Sequence, residues 1–249
     1  MAVHSEAELA EEIERLRAEL ARREREAADK ELQLERYAAD LRETFKQERA
    51  RSQELSRSYM ATVRALSNAV EARDAYTGKH AERVAAYGMA VARALGLSAE
   101  SPEIEFGFLL HDIGKLAIPD AILYKPSALT EEERALMARH PVLGADIVRG
   151  IDFLGGAGQV VRHHHERWDG QGYPDGLRGE EIPITARVFA VADVLDALTT
   201  DRPYRPASTM PIARESIIRE SGSHFDPGVV EAFASIPLET LERIGAEIR

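Results

Sequence analysis

His111-Asp112-Ile113-Gly114-Lys115, running on to Ile118-Pro119-Asp120, carries the most chemistry of any stretch in this 249-residue chain. Neighbouring residues point in different directions along a regular helix. At a helix end, however, a His-Asp pair can turn both side chains into one cavity. The surrounding pattern predicts a helix that begins near Pro102 and ends around Lys115. The two oxygens of Asp112 let one carboxylate bridge a pair of metal ions. Lys115, four residues after His111, is expected on the same helix face, where it reaches a phosphate oxygen held at those ions.

Working outward from that pair, six of the eight histidines fall between His80 and His165. His80, His140, His164, His165 and Asp193 are the further ligand candidates, drawn from separate segments apart from the adjacent pair. Imidazole suits iron, zinc, copper or nickel, and carboxylate suits harder ions such as manganese. The mixed set therefore points to two divalent transition-metal ions, iron or manganese. The chain has no cysteine, which excludes disulfides and Cys-based zinc sites. Taken singly, a histidine is more often a satisfied, partly buried residue or a surface residue than a ligand; only the set, in its order and spacing, argues for a site.

The same segments punctuate a helical chain. His80 to Leu95 places Val84, Tyr87, Val91 and Leu95 on one side, and a turn is expected at Tyr76-Thr77-Gly78. Ile118-Pro119-Asp120 and Lys125-Pro126 read as connections. Thr130 with Glu133 is a capping box that opens a helix. Gly155 to Gly158 marks a loop, and Trp168 to Pro183, rich in Gly, Asp and Pro, a long one. Ile184 to Leu198 and Pro211 to Glu220 are helical. No run alternates with strand periodicity, so residues 59–249 are expected to form an all-α domain.

Residues 1–58 contain neither Pro nor Gly and are crowded with Glu, Arg, Ala and Leu. Leu9, Ile13, Leu16, Leu20, Ala27, Leu34, Tyr37, Leu41 and Leu55 recur at coiled-coil spacing, interrupted by Arg23, Lys30, Glu48 and Arg51. This segment reads as a long coiled-coil helix that pairs with a second copy, giving a homodimer. The formal net charge of -11 disfavours a nucleic-acid partner, while a metal centre can still attract a small anion. No run of eighteen apolar residues and no leader pattern are seen, so a membrane partner is not expected and the expected location is cytoplasmic.

Taken in order, these segments resemble the HD-GYP family of the HD phosphohydrolase superfamily. Thr77-Gly78-Lys79-His80 with Glu82-Arg83-Val84 resembles its first ligand helix, and His111 to Asp120 its HD signature. His140-Pro141 with Gly144 and Ile147 follows. His164-His165-Glu166-Arg167-Trp168-Asp169-Gly170-Gln171-Gly172-Tyr173-Pro174 is similar to the GYP motif. Ala192-Asp193-Val194 through Asp196-Ala197-Leu198, then Arg202-Pro203-Tyr204-Arg205, completes the set. The likeness spans about residues 62–235.

The resemblance implies an HD-type helical bundle and a phosphodiesterase acting on cyclic di-GMP, giving pGpG and then GMP. It implies that one ion is held by His80, His111, Asp112 and Asp193, and the other by Asp112, His140, His164 and His165. Asp112 and Lys115 would act in catalysis. Gly172, Tyr173 and Pro174 would border the substrate, with Arg202 and Arg205 on its phosphates or guanines. Tyr76 stands where some members carry a carboxylate for a third ion, so two ions are expected. Many members have lysine where this chain has Arg205. His163 reads as a residue behind the ligands or an exposed one, His224 as part of a structural segment, His4 as irrelevant, and Trp168 as packing under the loop. Other cyclic dinucleotides such as cyclic GMP-AMP, or a ligand-sensing module without turnover, are the rival readings. The front helix resembles connectors that relay a signal from a regulatory partner.

Overall fold

The computed structural model describes residues 6–73, 79–97, 102–201 and 205–248. Eleven α-helices are found among them, with no strand beyond a single bridge between Ser221 and Phe225. The all-α expectation holds. The chain divides into two compact units, residues 1–58 and 59–249. The expected turn at Tyr76-Thr77-Gly78 and the Arg202-Pro203-Tyr204 segment lie outside the described residues.

The first unit is helical from Glu6, and this helix, α1, continues to Glu71 in the second. Leu9, Ile13, Leu16, Leu20, Leu34, Tyr37, Leu41 and Leu55 are all exposed along it. Ion pairs one turn apart, such as Arg23–Glu19 and Arg15–Glu12 at 2.7 Å, line its surface and are worth only a few tenths of a kcal/mol each.

In the second unit the character of α1 changes because its apolar residues acquire partners. Val63 and Val70 are buried, and Tyr59 stacks on Phe153 at 4.1 Å. Helix α2 (His80–Ala94) packs against α8 (Ile184–Thr199), and α3 (Pro102–Leu110) packs against α2 and α7 (Ala157–His163). Phe106, Phe108, Phe189, Leu195, Val191 and Val160 fill the space between them, each 1% exposed or less. Helices α9 (Met210–Arg219), α10 (Pro227–Ser235) and α11 (Leu238–Glu247) close the far side through Ile217, Phe233 and Leu241. No helix among the described residues is long and apolar enough to cross a membrane.

Several local expectations are corrected. The helix from Pro102 stops at Leu110, and a 3₁₀ turn over Ile113–Ala117 follows. A one-turn helix, α4 (Asp120–Leu123), interrupts the expected connection. The glycine run at 155–158 is shorter as a loop than expected, since α7 begins at Ala157. The long loop after Trp168 contains a 3₁₀ turn over Gly179–Glu181. The capping box at Thr130 is present: its hydroxyl accepts from Glu133 N–H at 3.3 Å and the Glu133 carboxylate accepts from Thr130 N–H at 2.8 Å, opening α5 (Glu131–Met137).

Candidate metal centre

Six of the seven ligand candidates lie at or beside the end of a helix. His80 opens α2, whose start is fixed by the Glu71 carboxylate accepting from Lys79 N–H and Ala81 N–H at 3.2 and 2.7 Å. His111 and Asp112 occupy the turn between α3 and the 3₁₀ segment. His140 opens α6 (His140–Val148), and His164 and His165 follow the end of α7. Asp193 lies within α8. Terminal turns suit this task because consecutive side chains leave the helical screw there and converge.

Two glycines allow that convergence. A Cβ on Gly114 would sit 1.9 Å from the His140 carbonyl oxygen and 2.6 Å from Gly144 N, and one on Gly144 would sit 3.0 Å from Gly114 N. Only backbone fits between the 3₁₀ turn and α6. Their contact brings Asp112 Oδ1 to 3.3 Å from His140 Nε2 and 3.9 Å from His164 Nε2, while Oδ2 lies 3.2 Å from His111 Nε2. His80 Nε2 lies 3.3 Å from Asp193 Oδ1. Ligand atoms of His140, His164 and His165 lie within 4.8 Å of one another. Phe189 forms an aromatic floor against the rings of His111 and His164.

The tautomers suit cation binding. Nδ1 of His111, His140 and His164 lies 2.8–2.9 Å from the carbonyls of Phe108, Met137 and Val161 respectively, so each Nδ1–H donates outward and Nε2 presents a lone pair inward. Nε2 of His140 and of His164 then face each other at 3.1 Å, an arrangement that a shared positive centre relieves. Burial, with His165 and His111 nearby, holds His164 well below the usual imidazole range, and burial brings His165 down to about 4. Both imidazoles are neutral at neutral pH. Burial would raise the Asp112 carboxyl, but His111 and Lys115 outweigh it and keep it well below its ordinary value. Burial would likewise lower His80, but Asp193 and Asp196 hold it up at about 10. At neutral pH His80 is therefore an imidazolium between the Asp193 and Asp196 carboxylates, and its Nε2 must release a proton before it can meet a cation.

The seven expected ligands therefore lie around one cluster, and Lys115 joins them with Nζ 2.8 Å from Asp112 Oδ2. The geometry corrects the reason for Lys115: the helix has ended before it, and the 3₁₀ turn brings it back three residues after Asp112. A cavity of about 240 Å³ opens beside the cage, lined by His164, His165, Gly172, Tyr173, Asp193 and His224 among others. Pro174 follows half-buried in the same loop. Arg205 is exposed, and its guanidinium donates to the Ala197 carbonyl at the end of α8. Arg202 lies outside the described residues.

Behind the cage, Asp196 escaped assignment, while His163 and Trp168 lie as one of the expected readings of each had it. Asp196, 1% exposed, accepts from Arg83 Nε at 2.6 Å and meets His80 Nδ1 at 2.7 Å. Its spacing of three from Asp193 on one helix was the available signal. His163 is buried, with Nε2 3.1 Å from Asp175. Trp168 packs in its loop beneath the Arg187 guanidinium, 5.7 Å from the ring centroid.

The chain is similar to several known proteins. The family model described as an HD domain matches residues 64–229. The chain is 46% identical over 174 residues to the cyclic di-GMP phosphodiesterase response regulator RpfG of Xanthomonas campestris pv. campestris, covering 69% of this chain and 46% of that protein. It is 43% identical over 169 residues to the 3'3'-cGAMP-specific phosphodiesterase 2 of Vibrio cholerae, covering 67% of this chain and 32% of that protein. The chain thus spans about half or less of the length of these relatives. A crystal structure of a cyclic GMP-AMP specific phosphodiesterase of V. cholerae shares the fold, with TM-score 0.56 at 24% identity over 75% of this chain and 50% of that one. With the matched segment holding every histidine and aspartate of the cage, the chain belongs to the HD domain family, in its HD-GYP branch.

Proposed function

We propose that this chain hydrolyses cyclic di-GMP at a centre of two divalent transition-metal ions, iron or manganese. The observation that carries the reading is the placement of Asp112, whose two oxygens face His111 on one side and His140 on the other, at 3.2 and 3.3 Å. His80, His111, Asp112 and Asp193 are the ligands for one ion, and Asp112, His140, His164 and His165 for the other. When bound, such a pair of ions acidifies a water and draws charge from phosphate oxygens.

The chain's own residues supply the rest. Lys115, next to Asp112, offsets charge growing on a non-bridging phosphate oxygen. Gly172, Tyr173 and Pro174 border the substrate cavity. Arg202 and Arg205, which follow α8 in the sequence, meet phosphates or guanines, for which the guanidinium fork is suited. The product is linear pGpG, and a second cleavage gives GMP. The name of the 46%-identical relative supports this substrate. The 43%-identical relative named for 3'3'-cGAMP supports a second reading, in which the hybrid dinucleotide is preferred.

Residues 1–58 pair with a second copy through the exposed apolar seam of α1, giving a homodimer that relays the state of a regulatory partner in the cytoplasm. The test is hydrolysis by the purified full chain, loaded with Mn²⁺ or with Fe²⁺ under anaerobic conditions, of cyclic di-GMP and 3'3'-cGAMP side by side. Faster release of pGpG is expected. Faster cleavage of the hybrid selects the second reading. A metal-loaded chain that binds either ligand but cleaves neither is a sensing module and overturns the enzymatic reading.

A further inference from the structure

Among the cage histidines, four have their rings fixed by a hydrogen bond at Nδ1: His80 with Asp196, His111 with Phe108 O, His140 with Met137 O and His164 with Val161 O. His165 has no such bond among the described residues. Its ring is instead stacked on Tyr173, with centroids 4.7 Å apart and planes inclined by 28°.

Tyr173 is in turn held by a dedicated latch. Its N–H donates to the His165 carbonyl at 3.2 Å. Gly172 folds the loop so tightly against its own start that a Cβ there would meet Arg167 N at 2.4 Å and Glu166 Cα at 2.5 Å. The Glu166 carboxylate, only 3% exposed, accepts three main-chain N–H groups from the far side of the loop: Asp175 at 2.7 Å, Gly176 at 3.0 Å and Leu177 at 3.1 Å. Asp175 is clamped outside by both nitrogens of the Arg162 fork at 2.8 and 2.7 Å. A buried carboxylate that binds three consecutive amides makes the loop a fixed body, and the Tyr173 ring is the part of it that touches a ligand.

We infer that Tyr173 is a positioning residue for His165, setting the ring orientation that the other histidines obtain from hydrogen bonds, and that Glu166 holds Tyr173 in place. The inference rests on the proposed role of His165 as a metal ligand. The loop thereby supports the ion centre as well as bordering the substrate. Orienting partners of metal ligands change affinity by roughly 10–100-fold when removed, and a ring stack restrains rotation as a hydrogen bond does.

The test is calorimetric titration of the metal-stripped full chain with Mn²⁺ alone, with amide exchange followed in parallel. Wild type is expected to take up two equivalents. Tyr173→Ala should weaken one of them by about 10–100-fold and leave the other unchanged, whereas Tyr173→Phe, which keeps the ring, should bind like wild type. Glu166→Ala should reproduce the loss and release the amides of Asp175, Gly176 and Leu177 to fast exchange. Should Tyr173→Ala not fold, Tyr173→Leu, apolar but without a ring, carries the same comparison. Unchanged Mn²⁺ affinity in the ringless variant, or equal loss in Tyr173→Phe, overturns the inference while leaving the metal reading intact. A folded wild-type chain that takes up no Mn²⁺ overturns both.

Discussion

The Nε2 atoms of His140 and His164 face each other at 3.1 Å, each ring having already committed its Nδ1 proton to a main-chain carbonyl. Two inward lone pairs at that separation repel, so binding a cation stabilises the folded state. At free Mn²⁺ a hundredfold above its dissociation constant, the gain is about 2.7 kcal/mol, or roughly 5–10 °C in Tm for a domain of this size. Thermal melts after chelation and after Mn²⁺ addition measure it. In the doubly substituted His140→Ala, His164→Ala chain the Mn²⁺ response should fall by at least half.

Asp112 and Lys115 touch, yet their substitutions should separate. Asp112→Ala removes the carboxylate that faces His111 and His140, so metal content and turnover should be lost together. Lys115→Ala leaves every proposed ligand in place. It should retain both ions and lose on the order of 10²–10³ in kcat. Metal quantification beside steady-state kinetics decides it; full turnover by Asp112→Ala would remove the bridging role.

Gly114 is the tightest point of the fold near the site. The Cβ of Gly114→Ala would enter 1.9 Å from the His140 carbonyl, and the obstacle is backbone that cannot rotate away. Overpacking of this kind is expected to cost about 3 kcal/mol, read from urea denaturation. Metal affinity should fall as well, since the 3₁₀ turn carrying Asp112 must move away from His140. Native-like stability in this variant would contradict the described packing.

Asp175 provides a pH signature. The Arg162 fork, followed by smaller contributions, holds its carboxyl below the ordinary range against partial burial. A depressed folded-state pKa contributes stability that is fully present above the unfolded value near 4 and lost as pH falls through the folded one. Asp175→Asn should therefore lower stability by about 1 kcal/mol at most, given the exposure of the pair. The difference from wild type should be constant between pH 5 and 8 and shrink below pH 4. Melting curves across that range provide the check; a gap that widens on acidification has the wrong sign.

Much of the site was legible beforehand because its chemistry is concentrated in rare residue types. His80, His111, Asp112, His140, His164, His165 and Asp193 stand out as scattered imidazoles and carboxylates in a helical pattern, and the ordered motifs supplied their grouping. The capping box of Thr130 and Glu133 was equally readable, since both of its bonds are local. The structure ends α3 at Leu110 rather than near Lys115: Gly114, a poor helix former, lies in the 3₁₀ turn that meets α6, a contact that no neighbouring residue announces. Asp196 and Glu166 lie within the ordered motifs, yet nothing in the sequence marks their partners. A carboxylate reads the same in sequence whether it faces solvent, an arginine or three main-chain amides.

Local residue order thus determined the helical class, the capping box and the identity of the groups able to bind metal, because side-chain chemistry and capping depend on near neighbours. Tertiary packing alone decided that the Asp112 carboxylate reaches His140, that Nε2 of His140 meets Nε2 of His164, and that His80 lies against Asp193. Those relations join segments far apart in the chain, and their distances follow from how closely glycine-lined backbones and buried rings can approach.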